Sequence, residues 1–380
     1  MINFRHGDKV VALPAGDLWA SAPPGATYRD TSAEELLAIV HEVERGTPWR
    51  EEVARRYAQI NPWLHQIVTA PSRDLFFRHF PPAAGSRVLD LGAGWGQISL
   101  PLARSFEVTA LEPTPERLAF IRAAAAQERV NERLHFVQAD FFDIEFDTRF
   151  DLVTCIGVLE WVPKFRTGDP REVQIDFLRR LRGVLAPGGR VIIGIENRLG
   201  LKYLLGAPDD HIGAPGISVY DSALATSKWR ALAGGELRSF TFTHAELCEL
   251  LTAAGLPEIT SFASLPDYKV PQVILPLGNA VNEYFGRGNF IPEHDGSCGR
   301  PLEFQPELRS HYRSLAQLGI AQAFVPSFFA AASPSRTGLP PDCGKLEPAH
   351  SSEVVGPSLG QPESANSIPF FEARGRHKLA

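Results

Sequence analysis

Cysteine is sparse and never paired in sequence: Cys155, Cys248, Cys298 and Cys343 lie far apart and form no CxxC motif. That spacing argues against a disulfide framework and against a thiolate zinc site. Lys and Arg do not gather into runs, and the net charge of −6 is the wrong sign for a phosphate backbone or an anionic bilayer. Nucleic-acid and membrane-surface partners are therefore not expected. No stretch reaches the roughly 18 uninterrupted apolar residues that a spanning helix needs. Met1 to Leu18 carries charges and prolines without an apolar centre, unlike a secretory leader. A cytoplasmic setting is the simplest expectation. Met1 is the sole methionine while Ala, Pro and Arg are abundant, which reads as codon bias and not as chemistry.

What is present is an ordinary globular composition, 44% apolar and 22% charged over 380 residues, enough for one large α/β domain with additions or for two small domains. Leu36, Leu37, Val40 and Val43 have helical spacing within residues 32–45, with Thr31 or Ser32 as cap. Further helical runs at 50–60 and 74–80 complete an N-terminal helical segment over residues 1–84. Arg87-Val88-Leu89-Asp90-Leu91 then stops at glycines, as a buried parallel strand does. A helix near 97–104, a strand at 108–112 and a helix opened by Pro115 follow. Strands at 134–137 and 150–157, a helix at 174–185 ended by Pro187-Gly188-Gly189, and a strand at 190–196 continue the rhythm. This predicts an α/β fold with a doubly wound, mostly parallel sheet over residues 85–277. Residues 197–239 break the rhythm and read as a lid-like insertion after the fifth strand. A helix at 243–254 and strands near 258–263 and 272–275 resume it. Residues 278–330 read as a C-terminal extension that covers a crevice or mediates assembly, and 331–380, rich in Pro, Ser and Gly, as a disordered tail.

The chemistry concentrates in Val88-Leu89-Asp90-Leu91-Gly92-Ala93-Gly94-Trp95-Gly96, a strand that runs through three glycines into a helix. Such a turn lets backbone approach a ligand closely and presents free N–H groups to it. Dinucleotide folds use GxGxxG and place a pyrophosphate there. Here the spacing is GxGxG, and Asp90 two residues upstream would repel a pyrophosphate while suiting an ammonium and a sulfonium.

This segment resembles the first motif of class I S-adenosylmethionine-dependent methyltransferases. The resemblance extends over roughly residues 85–263: Glu112 ends the second strand, Asp140 follows the third in Val137-Gln138-Ala139-Asp140-Phe141, DLVTCIGVLEW spans 151–161 and LAPGG spans 185–189. It implies S-adenosyl-L-methionine as cofactor, with Glu112 on the ribose hydroxyls and Asp140 near the adenine amino group. The cofactor contacts implied are Asp90, Gly92, Ala93, Gly94, Gly96, Glu112, Pro113, Asp140, Phe141 and Gly157, with Trp95 as a packing residue over the loop. Many relatives carry a histidine directly after the fourth-strand Glu; here the pair is Glu160-Trp161. Metal-dependent O-methyltransferases place an Asp at that strand end, where this chain has Gly157-Val158-Leu159-Glu160, so no metal is expected.

Acceptor-side candidates follow the fifth strand, in residues 196–203, 209–211 and 266–269. His211 beside Asp209 and Asp210 is the candidate general base, with Glu160 and Tyr203 as further catalytic candidates. A surface His211, with Asp209 and Asp210 capping a short helix, is the competing structural reading. A metal site built from Asp209, Asp210, His211 and His294 or Asp295 lacks any helical or hairpin ligand spacing. The segments IENRLGLKYLLGAPDDH and LPDYKVPQVI resemble a subgroup associated with surface-polysaccharide biosynthesis, which implies a sugar hydroxyl or glycosylated metabolite as acceptor. Natural-product N-, C- or O-methylation is the alternative within the class, and a catalytically silent cofactor-binding interaction protein the alternative outside it. Nothing in the sequence indicates an oligomeric state.

Overall fold

The computed structural model describes residues 1–21, 27–292, 305–335 and 371–372. The chain opens with strands: β1 (Ile2–His6) and β2 (Lys9–Leu13) form a hairpin and β3 (Leu18–Ala20) follows. This corrects the expectation of a purely helical N-terminal segment. Ile2 and Phe4 are buried while Asn3 and Arg5 are exposed, the period-2 pattern of a strand with one covered face. Helices α1 (Ala33–Glu44), α2 (Trp49–Tyr57), α3 (Pro62–Thr69) and α4 (Leu75–His79) come next. Ser32 caps α1 by accepting the Glu35 N–H.

The alternating half contains β4 (Arg87–Leu91), α5 (Ser99–Leu102), β5 (Glu107–Leu111), α6 (Pro115–Glu128), β6 (Leu134–Gln138), β7 (Glu145–Phe146), β8 (Phe150–Ile156), α7 (Pro170–Gly183) and β9 (Leu185–Glu196). Asp169 caps α7 through the Glu172 N–H, so this helix begins before the expected Gln174. β9 absorbs the Leu185–Gly189 turn into its own length. The insertion carries α8 (Leu201–Leu204) and α9 (Ser222–Ala233), then α10 (His244–Ala253), β10 (Glu258–Leu265), β11 (Val273–Pro276), α11 (Asn279–Gly286), α12 (Gln305–Gln317), β12 (Ser327–Ser333) and β13 (Phe371–Glu372). The insertion is thus not all loop: Asp221 accepts the N–H groups of Ala223 and Leu224, and Gly234 at φ 72° ends α9.

Among the described residues the large sheet runs β13-β11-β10-β12-β9-β8-β4-β5-β6-β3, and a small sheet runs β2-β1-β7. From β3 to β9 neighbouring strands are parallel; β12 is antiparallel to both β9 and β10. The position of β12 corrects the reading of 278–330 as an extension and of the tail as starting at 331. Every residue of Ser327–Ser333 is buried, because the strand fills the gap between β9 and β10 inside the sheet.

Two large apolar clusters cover the two faces. Leu89 and Leu91 point into one with α7 and α10, and Val88 into the other with α1 to α6. Strands buried on both faces are uniformly apolar, which is why β4, β5 and β6 read as short continuous runs. From β4 the chain winds outward through β5 and β6, then returns to β8 on the other side. Such a reversal opens a crevice at the carboxyl ends of the two central strands. Gly92 follows β4 and Gly157 follows β8 at that point.

Candidate functional site

The glycine turn is fixed by sterics. Gly92 has φ +70°, and a Cβ there would lie 2.5 Å from Cγ2 of Val158. The Gly94 N–H donates to Glu112 Oε2 at 2.9 Å, and the Thr114 N–H donates to Oε1 at 3.0 Å. Glu112 is buried, which pushes its carboxyl upward against the opposing pull of Arg117 and these donors. Asp140 accepts the Phe142 N–H at 2.9 Å through Oδ1, and Oδ2 pairs with Arg166 Nη2 at 2.5 Å. Gly92, Glu112, Pro113, Asp140, Phe141 and Gly157 line one cavity of about 150 Å³, together with Tyr28 and Trp161.

Asp90 does not line that cavity. Its carboxylate is expected to face the ligand, but it lies fully inside, accepting the hydroxyls of Ser99 at 2.5 Å and Thr154 at 2.6 Å. A carboxylate this buried needs donors within the fold, and the two hydroxyls are those within reach. Burial pushes its pKa up; the hydroxyl bonds and Arg73 oppose that. Ala93, Gly94 and Gly96 also stand behind the lining. A Cβ on Gly96 would press on Ile121 and Leu100 at 3.2 Å, so its place is in helix packing. Trp95 packs against Tyr57 and Phe120 and donates its indole N–H to Asp30 at 3.0 Å.

A second cavity of about 300 Å³ shares Tyr28, Gly157 and Trp161 with the first. Small-molecule sites usually measure roughly 300–1,000 Å³, a range the two adjoining cavities reach together. The second cavity is walled by Asp30, Asn61, Trp63 and Arg73 from the N-terminal segment, Glu196, Asp210 and His211 from β9 and the insertion, and Tyr268 and Lys269 from the turn after β10. The N-terminal contributors give no sequence signal, since their role depends on docking over a strand end far along the chain.

His211 is the hub. Its Nε2 lies 3.6 Å from Glu160 Oε1 and 3.5 Å from Glu196 Oε2, and its Nδ1 lies 3.5 Å from Asp209 Oδ1. This places His211 in a buried cluster and not on the surface. Burial alone would push the imidazole down; the charge of Glu196 and the contacts with Asp209 and Glu160 outweigh it and hold the ring well above its usual range. That upward direction favours the protonated ring, which donates from both nitrogens. Asp209 binds the N–H groups of His211 and Ile212 at 2.8 and 3.0 Å and accepts the Ser218 hydroxyl. Lys202 pairs with Asp210 at 2.8 Å, and Lys269 with Glu196. Tyr203 is not among the lining residues, but its hydroxyl donates at 2.7 Å to Asp210, which is. Glu160 is completely buried behind the lining, 3.4 Å from the Tyr268 hydroxyl. His294 and Asp295 lie outside the described residues. His244 sits in the first turn of α10, bonded to Ser261, apart from this cluster.

Residues 89–193 match the family model described as a methyltransferase domain. The chain is 33% identical over 148 residues to a ubiquinone biosynthesis O-methyltransferase of Aeromonas salmonicida (strain A449), covering 39% of this chain and 55% of that one. It is 30% identical over 166 residues to the protein of that name from Pseudomonas putida (strain GB-1), covering 41% of this chain and 67% of the other. The chain spans about half the length of the first curated relatives it matches. Among solved structures it is similar to the CcbJ methyltransferase of Streptomyces caelestis, with 17% identity, 80% and 99% coverage of the two chains and a TM-score of 0.41. The chain belongs to the class I S-adenosylmethionine-dependent methyltransferases. Its cofactor is S-adenosyl-L-methionine. No helix among the described residues is long and apolar enough to cross a membrane.

Proposed function

We propose that the protein transfers the methyl group of S-adenosylmethionine to a hydroxyl of a sugar or glycosylated metabolite. The observation that carries this reading is the junction of the two cavities at Gly157, Tyr28 and Trp161. The cofactor occupies the first, with Glu112 toward its ribose and Asp140 toward its adenine. Asp90 acts from beneath, bracing the glycine turn through Ser99. The acceptor occupies the second. Oxygen attacks the methyl carbon as the carbon–sulfur bond breaks in line, and the hydroxyl proton passes into the Glu196–His211 cluster. The donor is already activated, so alignment does most of the work and supplies on the order of 7–11 kcal/mol.

Two features of the chamber support a polyhydroxylated acceptor, its aromatic faces and its carboxylates. The chamber combines Trp63, Trp161 and Tyr268 with the carboxylates of Asp30, Glu196 and Asp210. Aromatic faces suit the apolar side of a sugar ring, and carboxylates suit its hydroxyls. The curated relatives are named for O-methylation. His211 is oriented in this reading by Asp209, whose Oδ1 faces its Nδ1 at 3.5 Å.

The test is transfer of labelled methyl from the donor into fractionated glycosides, free sugars and phenols. Label on a sugar oxygen is the expected outcome. Label on nitrogen or carbon, or donor binding with no transfer to any fraction, would reject the reading.

A further inference from the structure

Several buried carboxylates in this protein are saturated with donors. Asp90 holds two hydroxyls, Glu112 two backbone N–H groups, and Asp209 two N–H groups and a hydroxyl. Glu160 and Glu196 differ. Both are completely buried, and the Oε2 of each has no hydrogen-bond partner. A buried carboxylate oxygen without a hydrogen bond is costly, and Glu196 Oε2 has only an ion contact, 3.5 Å from His211 Nε2. Both glutamates flank one nitrogen: Glu196 Oε2 is 3.5 Å and Glu160 Oε1 3.6 Å from Nε2 of His211. One donor atom from each of the three side chains lies within 4.8 Å of the others. They arrive from separate elements, Glu160 after β8, Glu196 at the end of β9 and His211 from the insertion.

We propose that Glu160, Glu196 and His211 bind one divalent transition-metal ion at the wall of the acceptor chamber. One imidazole nitrogen and two carboxylates suit zinc, manganese or cobalt better than magnesium or calcium, which prefer oxygen alone. The other face of the ring fits the same role: Nδ1 meets Asp209 Oδ1 at 3.5 Å, the carboxylate–histidine arrangement that orients metal-binding imidazoles. A neighbouring trio, Glu196, Asp210 and Asp267, is also close-set. Its other two members already hold ammonium groups, Lys202 on Asp210 and Lys269 on Asp267, so it is not the favoured seat. An ion seated between Glu160 and Glu196 neutralises both carboxylates at once. Its use rests on the methyl-transfer reading: an ion here polarises the acceptor hydroxyl beside the cofactor cavity and eases loss of its proton. The expectation of no metal considered an Asp at the end of the fourth strand; this donor set draws on three elements that no sequence spacing connects.

The full chain, stripped with a chelator and dialysed, is titrated with Co²⁺ alone by calorimetry and visible absorption. S-adenosylhomocysteine is titrated separately. One Co²⁺ per chain is expected, with Glu160→Gln and His211→Ala each weakening it at least about 10-fold while S-adenosylhomocysteine affinity is retained. Lys269→Ala removes a competing cation and tightens Co²⁺ binding, a gain that misfolding cannot imitate. A protein that binds S-adenosylhomocysteine but no Co²⁺ overturns the proposal. So does Co²⁺ affinity equal in the unmodified chain and the Glu160→Gln and His211→Ala variants, or weakened by Lys269→Ala. Failure of the methyl-transfer reading has a separate signature, in which Co²⁺ binds as described and S-adenosylhomocysteine does not.

Discussion

Gly157 lies directly against Tyr268: a Cβ built on this glycine would stand 2.8 Å from the phenol oxygen. Both residues wall the cavity proposed for the acceptor, and Gly157 also lines the one proposed for the cofactor. Gly157→Ala therefore adds a methyl where the two cavities meet and, at φ +72°, strains the backbone as well. Overpacking of this kind costs about 1–3 kcal/mol. S-adenosylhomocysteine affinity measured by calorimetry should fall, and the rate of methyl transfer with it. Unchanged affinity and rate would mean that the junction is not on the path between donor and acceptor.

The three acids of the donor motif should separate by function when neutralised. Glu112 and Asp140 line the cavity, so Glu112→Gln and Asp140→Asn should weaken donor binding by about 1–3 kcal/mol, the range for a charged hydrogen bond. Asp90 has its oxygens committed to Ser99 and Thr154. Asp90→Ala should instead lower the thermal midpoint by leaving two buried hydroxyls without their acceptor. Parallel melting and binding measurements decide this. A stable Asp90→Ala protein with abolished donor binding would return Asp90 to the ligand.

Much of this was legible because the sheet's parallel half is built from contiguous units, each strand stopping at glycines or a capped helix. The glycine spacing, Glu112 and Asp140 follow from that register. His211 is marked by its two neighbouring acids and Glu160 by the fourth-strand motif, but their contact is hidden in the sequence. It depends on folding an insertion back over the ends of β8 and β9, which no local period encodes. The N-terminal hairpin was missed because five-residue alternation in Ile2–His6 is short and interrupted by charge. α9 was missed although Asp221 and Gly234 mark its ends, since the surrounding glycines and prolines dominate the stretch.

β12 is the sharpest omission, and it yields a prediction. SFFAAAS shows no alternation because both of its faces are covered, and its partners lie far away in sequence. Phe329 is 1% exposed, pairs with Phe262 across the strands and packs 4.9 Å from the ring of Phe76 in α4. Phe329→Ala should cost about 3–5 kcal/mol, the usual loss for emptying a buried aromatic site. Urea unfolding measures this. A loss below about 1 kcal/mol would show that β12 is not part of the cooperative core.

Acid should weaken the fold through His79 at the end of α4. Burial, helped by Arg78, pushes its imidazole down from 6.5 to about 4. Between those values the unfolded chain binds a proton that the folded one refuses, so stability falls as pH drops through this window and is unaffected by His79 above it. The size is about 1–3 kcal/mol at full effect, since the ring keeps some solvent access. Urea midpoints at pH 7 and pH 5, for the unmodified chain and for His79→Gln, test the sign. The variant should lose less on acidification; an identical loss would assign the acid sensitivity to other groups.

Arg166 pairs with Asp140, the carboxylate proposed above to face the adenine. Its guanidinium pairs with Oδ2 and lies 4.4 Å from the centre of the Phe142 ring, across the cavity where an adenine amino group would be received. Both partners keep solvent access, at 32% and 25%, so the pair is worth only about 0–1 kcal/mol. That is small enough for a bound ligand to displace. Removing it in Arg166→Ala therefore frees the carboxylate at little cost to the fold, and S-adenosylhomocysteine should bind up to a few-fold more tightly, with a smaller salt dependence. Calorimetry at two ionic strengths reads both effects. Weaker binding by Arg166→Ala would instead make the arginine part of the ligand's own cradle, stacked with Phe142 over the adenine.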